Sequence, residues 1–270
     1  MARIARRYIK TTAVGYYHIY SHLNSELGYL KKAEKEYFLK LIRRLSEVFF
    51  IEIISYAIMS NHFHLVIKTK AVEEIKESQA VKRALLLYKE RVVITRKEDY
   101  WRRKLCDISY FMKELKQRFS QWYNRRRRRR GPVWDGRFKS VRLQKQEAVL
   151  SASVYVDLNA VRAGITDRVD GYRWSSYTLR RSGGGSWLLG LSEELGVSLR
   201  EYGEILEEAG KQDKEGSGKV KKCKRWLILH IIAYKGQGLI YGSVEFVEKI
   251  TGGFPSRRRK KRIVGDLVIA

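Results

Sequence analysis

The chain has 270 residues, 44% hydrophobic and 12% aromatic, which is enough apolar material for a packed core rather than a disordered chain. Its 56 Lys and Arg against 29 Asp and Glu give a net charge of +27, an excess that repels itself in a folded protein and calls for a polyanion such as nucleic acid. There is no run near the roughly 18 apolar residues of a membrane span, no apolar stretch behind the basic start, and only two widely spaced cysteines, Cys106 and Cys223. These features argue against a membrane protein, a secreted protein and a disulfide or Cys-rich zinc scaffold, and favour a cytoplasmic, nucleoid-associated one.

In chain order, Ala13–Tyr20 is β-branched and aromatic and predicts a strand. Glu34–Phe50 carries Tyr37, Phe38, Leu41, Ile42, Leu45, Val48 and Phe49 at helical spacing. Ile51–Met59 and Phe63–Lys68 are two short apolar runs split by Ser60 and Asn61, which predicts adjacent strands and a tight turn. Strand, helix, strand, strand is the opening of an α+β sandwich with a mainly antiparallel sheet. Residues 71–107 are charged and largely helical, and Ile108–Asn124 is a clear amphipathic helix running into Arg125–Arg130. Val133–Gln144 predicts a turn and a strand, and Glu147–Leu158 a further helix. The stretch Ser182–Ser186 (SGGGS) reads as a linker. It divides a domain of residues 1–181 from a smaller, basic and mostly helical region of residues 187–270, with helices expected over Leu199–Ala209 and Arg225–Tyr234.

The chemistry starts at Asn61–His62–Phe63–His64. Side chains alternate along a strand, so His62 and His64 project from one face and form half a site for a divalent cation. The plainer alternative is two polar residues on a sheet face. Tyr155 and Asn159 stand four apart on a helix and share a face as well. An amide oxygen is a fitting third ligand for a hard cation. A phenol one turn away would then lie close to that ion.

These residues carry a resemblance. AIMSNHFHLVI, NRRRRRRGPVWDGRFKS, YVDLNAVRAGI and YRWSSY, in that order and spacing between Ala13 and Tyr177, resemble the REP-associated tyrosine transposases. These are single-tyrosine members of the "HUH" group, named for His–hydrophobic–His. The C-terminal LIYGSVEFVEKI (239–250) is similar to a segment near the end of longer members. The resemblance implies a ferredoxin-like fold and recognition of hairpins in single-stranded DNA. It further implies cleavage through a 5′-phosphotyrosine intermediate, with Mg²⁺ or Mn²⁺ as cofactor. It makes His62, His64 and Asn159 the metal ligands and Tyr155 the nucleophile, and it leaves monomer and homodimer both open. One departure is Ala160, where the family carries a proline that would help stop the helix. A replication initiator or relaxase with the same paired histidines is a rival. A domesticated hairpin DNA- or RNA-binding protein without strand transfer is another.

Between Lys116 and Lys145 there are twelve Lys or Arg against one acid, Asp135, interleaved with Phe119, Trp122, Tyr123, Trp134 and Phe138. Basic groups of this kind track a phosphate backbone, and aromatic faces can stack unpaired bases. We assign Arg125, Arg126, Arg127, Arg128, Arg129 and Arg130 to DNA contact, with Arg137 and Lys139 as phosphate contacts and Arg162 near the scissile bond. The aromatics are assigned mostly to the core. His18 and His230 read as structural histidines, His18 with a place beside the metal site as its alternative. The tail Arg257–Arg262 is either a DNA-binding arm or a disordered basic end.

Overall fold

The structure, a computed structural model, describes residues 13–96, 99–215, 240–243, 246, 262–264 and 267–269. The helix expected over Arg225–Tyr234, together with His230 and all of the basic tail except Arg262, lies outside the described residues. The first half runs β1 (Gly15–His22), α1 (Lys32–Val48), β2 (Ile51–Ile58) and β3 (His62–Thr69). Then come α2 (Glu77–Leu85), α3 (Glu90–Ile94), α4 (Tyr100–Cys106) and α5 (Ile108–Arg126). β4 (Lys139–Leu143) follows, with α6 (Glu147–Asp157), α7 (Asn159–Arg162), α8 (Ser176–Arg181), α9 (Leu191–Leu195) and α10 (Leu199–Glu215). Three short strands, β5 (Ile240–Ser243), β6 (Arg262–Val264) and β7 (Leu267–Ile269), extend the sheet.

The sheet order is β2-β3-β1-β4-β5-β7-β6. Among the described strands, every pair is antiparallel except β4 with β5. The first four strands, with α1 and α5 over one face, form the interleaved ferredoxin-like pattern expected from the sequence. The alternation of strand side chains sorts the two faces. Tyr17, Ile19, Phe63, Leu65 and Ile67 enter a core with α1, α2, α4 and α5. Tyr16, Val66, Val141 and Leu143 enter a second core with α6 to α10. In β2 the register shifts between Ile53 and Ser55. Ile53 and Tyr56 therefore both face the first core while Ile54 and Ala57 face the second.

The aromatics of the basic stretch are core residues. Phe119 is fully buried, Tyr123, Trp134 and Phe138 nearly so, and Trp122 stacks on Tyr37 at 4.1 Å. Phe38 stands among Phe63, Phe119 and Trp134, with ring centroids 4.8, 5.0 and 5.6 Å away. This aromatic knot ties α1 and α5 to the strand that carries the histidine pair.

Beyond α8 the chain turns through Gly183, Gly184 and Gly185 and returns to the same body. Leu189 N donates to Ile53 O at 2.9 Å, and Leu188 joins the first core. Glu194 accepts from Tyr16 Oη at 2.6 Å and pairs with Lys68. Tyr202, Ile205, Leu206 and Ala209 of α10 pack into the second core. No described helix is long and apolar enough to cross a membrane. Phe38→Ala should cost about 3–5 kcal/mol of stability, the usual cost of emptying a buried aromatic site; urea denaturation measures it, and a loss under about 1 kcal/mol would deny the knot its role.

Candidate active site

The second face of the sheet carries the site. In the β1–β3 ladder Tyr20 lies opposite His64 and His22 opposite His62, and on the other side of β1 Tyr20 lies opposite Lys139. Cross-strand partners share a face. His18, Tyr20, His22, His62, His64 and Lys139 therefore form one polar row in a sheet face that is otherwise apolar. The histidine pair thus belongs to a cluster of four: His22 stacks on His62 at 5.2 Å and His18 on His64 at 5.1 Å, while His62 and His64 meet edge to face at 4.9 Å.

Two contacts orient the pair. His62 Nδ1–H donates to Asn61 Oδ1 at 2.7 Å, which puts the proton of the neutral ring on Nδ1. His64 Nδ1 lies 2.9 Å from His18 Nε2. When His64 is the donor there, its proton likewise sits on Nδ1, which is how a neighbouring acceptor fixes the tautomer of a ligating histidine. Burial, reinforced by its imidazole neighbours, holds His64 well below the ordinary histidine range. His62 is lowered to about 4 by burial and then by His22, and His18 to about 3 by burial. All three are neutral at neutral pH, as metal-binding imidazoles must be.

Tyr155, on the last turn of α6, lies 5.8 Å edge-on from both His18 and His64. Burial raises its pKa, while Arg162 and Asn159 pull it back. The Arg162 guanidinium stands 5.0 Å from the Tyr155 ring. Asn159 opens α7 just beyond the break at Leu158 and acts on both His62 and Tyr155. Its buried Nδ2 makes no hydrogen bond among the described residues. The oxygen and nitrogen of an amide are assigned from their partners, so a half-turn presents the oxygen there instead. Two neutral imidazoles and one amide make an open N₂O set suited to a divalent cation that takes its remaining ligands from phosphate and water. Among the described residues no three His, Cys, Asp or Glu side chains form a closed set.

The structure thus brings His62, His64, Tyr155, Asn159 and Arg162 together, and adds Tyr20 and His22, which sequence reading did not place in the site, and His18, for which a place beside it was the alternative. His18, Tyr20 and His22 stand at every second position of one strand, a period visible in YYHIYSH. Only the register with β3 turns that period into a wall of the site.

The arginine run is not six equivalent cations. Arg127 pairs with the buried Glu34 at 2.7 Å, whose other oxygen accepts from Lys31 N at the start of α1. Arg129 donates to Asn124 Oδ1 at 3.1 Å. Arg125, Arg126, Arg128 and Arg130 are exposed, with Arg126 near Trp122. The run leads into the loop 131–138, where Leu23 bridges Trp134 and Asp135 N donates to His22 O at 3.0 Å. Arg137 and Lys139 are exposed at that edge, and Lys139 lies 5.8 Å from the Tyr20 ring. A basic surface therefore abuts the histidine row.

An unfolded imidazole protonates near 6.5, far above where His18 titrates in the fold. Stability held by this neutral cluster is complete above pH 6.5 and is lost as pH falls toward about 3. In EDTA the urea midpoint should drop between about pH 7 and about pH 5, and His18→Gln should flatten that drop; an equal drop in the variant would place its source elsewhere.

The family model described as "Transposase IS200 like" matches residues 11–106. Among solved structures, one described as "Structure of the REP associates tyrosine transposase bound to a REP hairpin" is similar at 16% identity and a TM-score of 0.47, covering 68% of this chain and 87% of that one. No curated protein matches. Across β1 to α4, the stretch that holds all four clustered histidines, this chain is similar to that family model.

Proposed function

We propose that the protein cuts and rejoins hairpin-flanked single-stranded DNA, with Tyr155 as nucleophile and Mg²⁺ or Mn²⁺ held by His62, His64 and Asn159. One observation carries this reading: the Tyr155 ring stands 5.8 Å from His64, with Asn159 acting on both Tyr155 and His62. Residues some ninety positions apart converge at one spot on the sheet. The Asn159 amide, whose Nδ2 makes no hydrogen bond among the described residues, and the neutral imidazoles beside it fit a cation there. Held by His62, His64 and Asn159, such a cation would polarise the scissile phosphate and balance the charge that develops on it.

The residues then have separable tasks. Arg162, beside the Tyr155 ring, favours the phenolate over a phenol that burial would otherwise keep protonated. Tyr155 Oη attacks phosphorus, and the Oη–P bond forms as the P–O3′ bond breaks. The phenol gives up its proton, the departing oxygen ends as a free 3′-hydroxyl, and the 5′-phosphate stays esterified to Tyr155. A 3′-hydroxyl from another strand reverses the step, so bond energy is conserved in the ester and no external energy source is needed. Arg125, Arg126, Arg128 and Arg130, followed by Arg137 and Lys139, form a basic track for the strand leading to the histidine row.

With end-labelled hairpin DNA and Mn²⁺, wild type should form a covalent adduct visible on a denaturing gel. EDTA and Tyr155→Phe should each abolish the adduct while hairpin binding persists. An undiminished adduct in Tyr155→Phe would remove Tyr155 from the reaction, and tight binding with no adduct in any metal would indicate a binding protein without strand transfer. Replacing Arg125, Arg126, Arg128 and Arg130 by Gln should weaken binding evenly across sequences. It should also flatten the log–log salt dependence by about one for each phosphate that is no longer neutralised; an unchanged salt slope would take the run out of the DNA interface.

A further inference from the structure

Asp157 lies between Tyr155 and Asn159 in sequence but belongs to the second core rather than the histidine row. It is fully buried and surrounded by donors. Ser176 Oγ donates at 2.7 Å to one carboxylate oxygen and lies 2.9 Å from the other, Tyr177 N donates at 2.9 Å, and Tyr202 Oη donates at 2.8 Å. Arg180 stands close enough to act on the same charge, while its Nη2 donates to Ile54 O and Leu189 O at 2.9 and 2.7 Å. These donors come from α8 and α10, helices that belong to neither the sheet nor the nucleophile helix.

The helix is interrupted just after this residue. α6 ends at Asp157, Leu158 caps it, and α7 begins at Asn159. The nucleophile is the last exposed-side residue before the break, and the amide ligand is the first after it. A well-packed apolar residue would stabilise this core about as well as a buried charge that needs several donors. A carboxylate held from two sides instead fixes one geometry. We propose that Asp157 is a positioning residue: gripped by Ser176 and Tyr202, it sets the α6–α7 junction and so the placement of Tyr155 and Asn159 over His62 and His64. This rests on the roles given above to Tyr155 and Asn159. The serine–tyrosine part of YRWSSY, and Tyr202 from beyond the glycine turn, are then parts of the nucleophile's mount.

The test compares wild type with Tyr202→Phe, Ser176→Ala and Asp157→Asn. Three quantities are read: hairpin affinity, single-turnover adduct formation in Mn²⁺, and amide hydrogen exchange. Hairpin affinity should hold, while adduct formation should slow by up to about a hundredfold, as small misplacements of a reacting group do. Exchange over residues 155–162 should quicken at least about tenfold relative to α1 and α5. Wild-type rate and protection in both Tyr202→Phe and Asp157→Asn would overturn the proposal. If wild type itself forms no adduct, the nuclease reading fails, and exchange over 155–162 alone decides the positioning role. Should Asp157→Asn lose protection everywhere, Tyr202→Phe, which removes a single hydroxyl, decides.

Discussion

β1 and β3 meet with Tyr20 opposite His64 and His22 opposite His62, and a slip of one residue would turn every one of these imidazoles into the aromatic core. Because the side-chain period of a strand is two, register is all or nothing. Here it is pinned from the far side. Phe63 and Leu65, the residues that alternate with the histidines, are buried against α1 and α5, and Phe63 sits edge-on to Trp134 at 5.4 Å. The site's polar row is therefore held by apolar packing on the opposite face of the same strands. A polar, electrostatically costly arrangement persists because its reverse side is worth so much buried surface.

From this register the site grows outward in layers. Imidazoles on β1 and β3 form the floor, and α6 and α7 lay Tyr155, Asn159 and Arg162 across it. Burial keeps the imidazoles neutral and raises the phenol, so the cluster as folded carries little charge of its own. The positive field comes from outside, along the exposed arginines that end α5 and the loop that runs from them to His22. Lys139 and Arg162 border the cluster itself, whereas the cations on the approach attract a phosphate chain without entering the histidine row.

The second core does more than cover the sheet. Asp157 joins α6 to α8 and α10, and Glu194 joins α9 to Tyr16 and Lys68 of the sheet. Both are buried carboxylates met by donors from distant parts of the chain. The glycine turn at 183–185 lets residues 187–215 come back over β2 and take part in these contacts.

Much of this was legible in the amino acids. β-Branched, aromatic and short apolar runs gave the strands, period-3.6 runs gave α1, α5 and α6, and His62–Phe63–His64 announced two imidazoles on one face by alternation alone. Tyr155 and Asn159 could be paired because four residues make about one helical turn. The tertiary structure decided whatever depends on which strand lies beside which. The places of His18 and His22 required the pairing of β1 with β3. The split among the arginines required Glu34, ninety-three positions away from Arg127, to be buried beneath one of them. The role of Ser176 required α8 to dock against α6. Local periodicity is written in the order of residues, but cross-chain partnership is set by packing, which no short window of sequence contains.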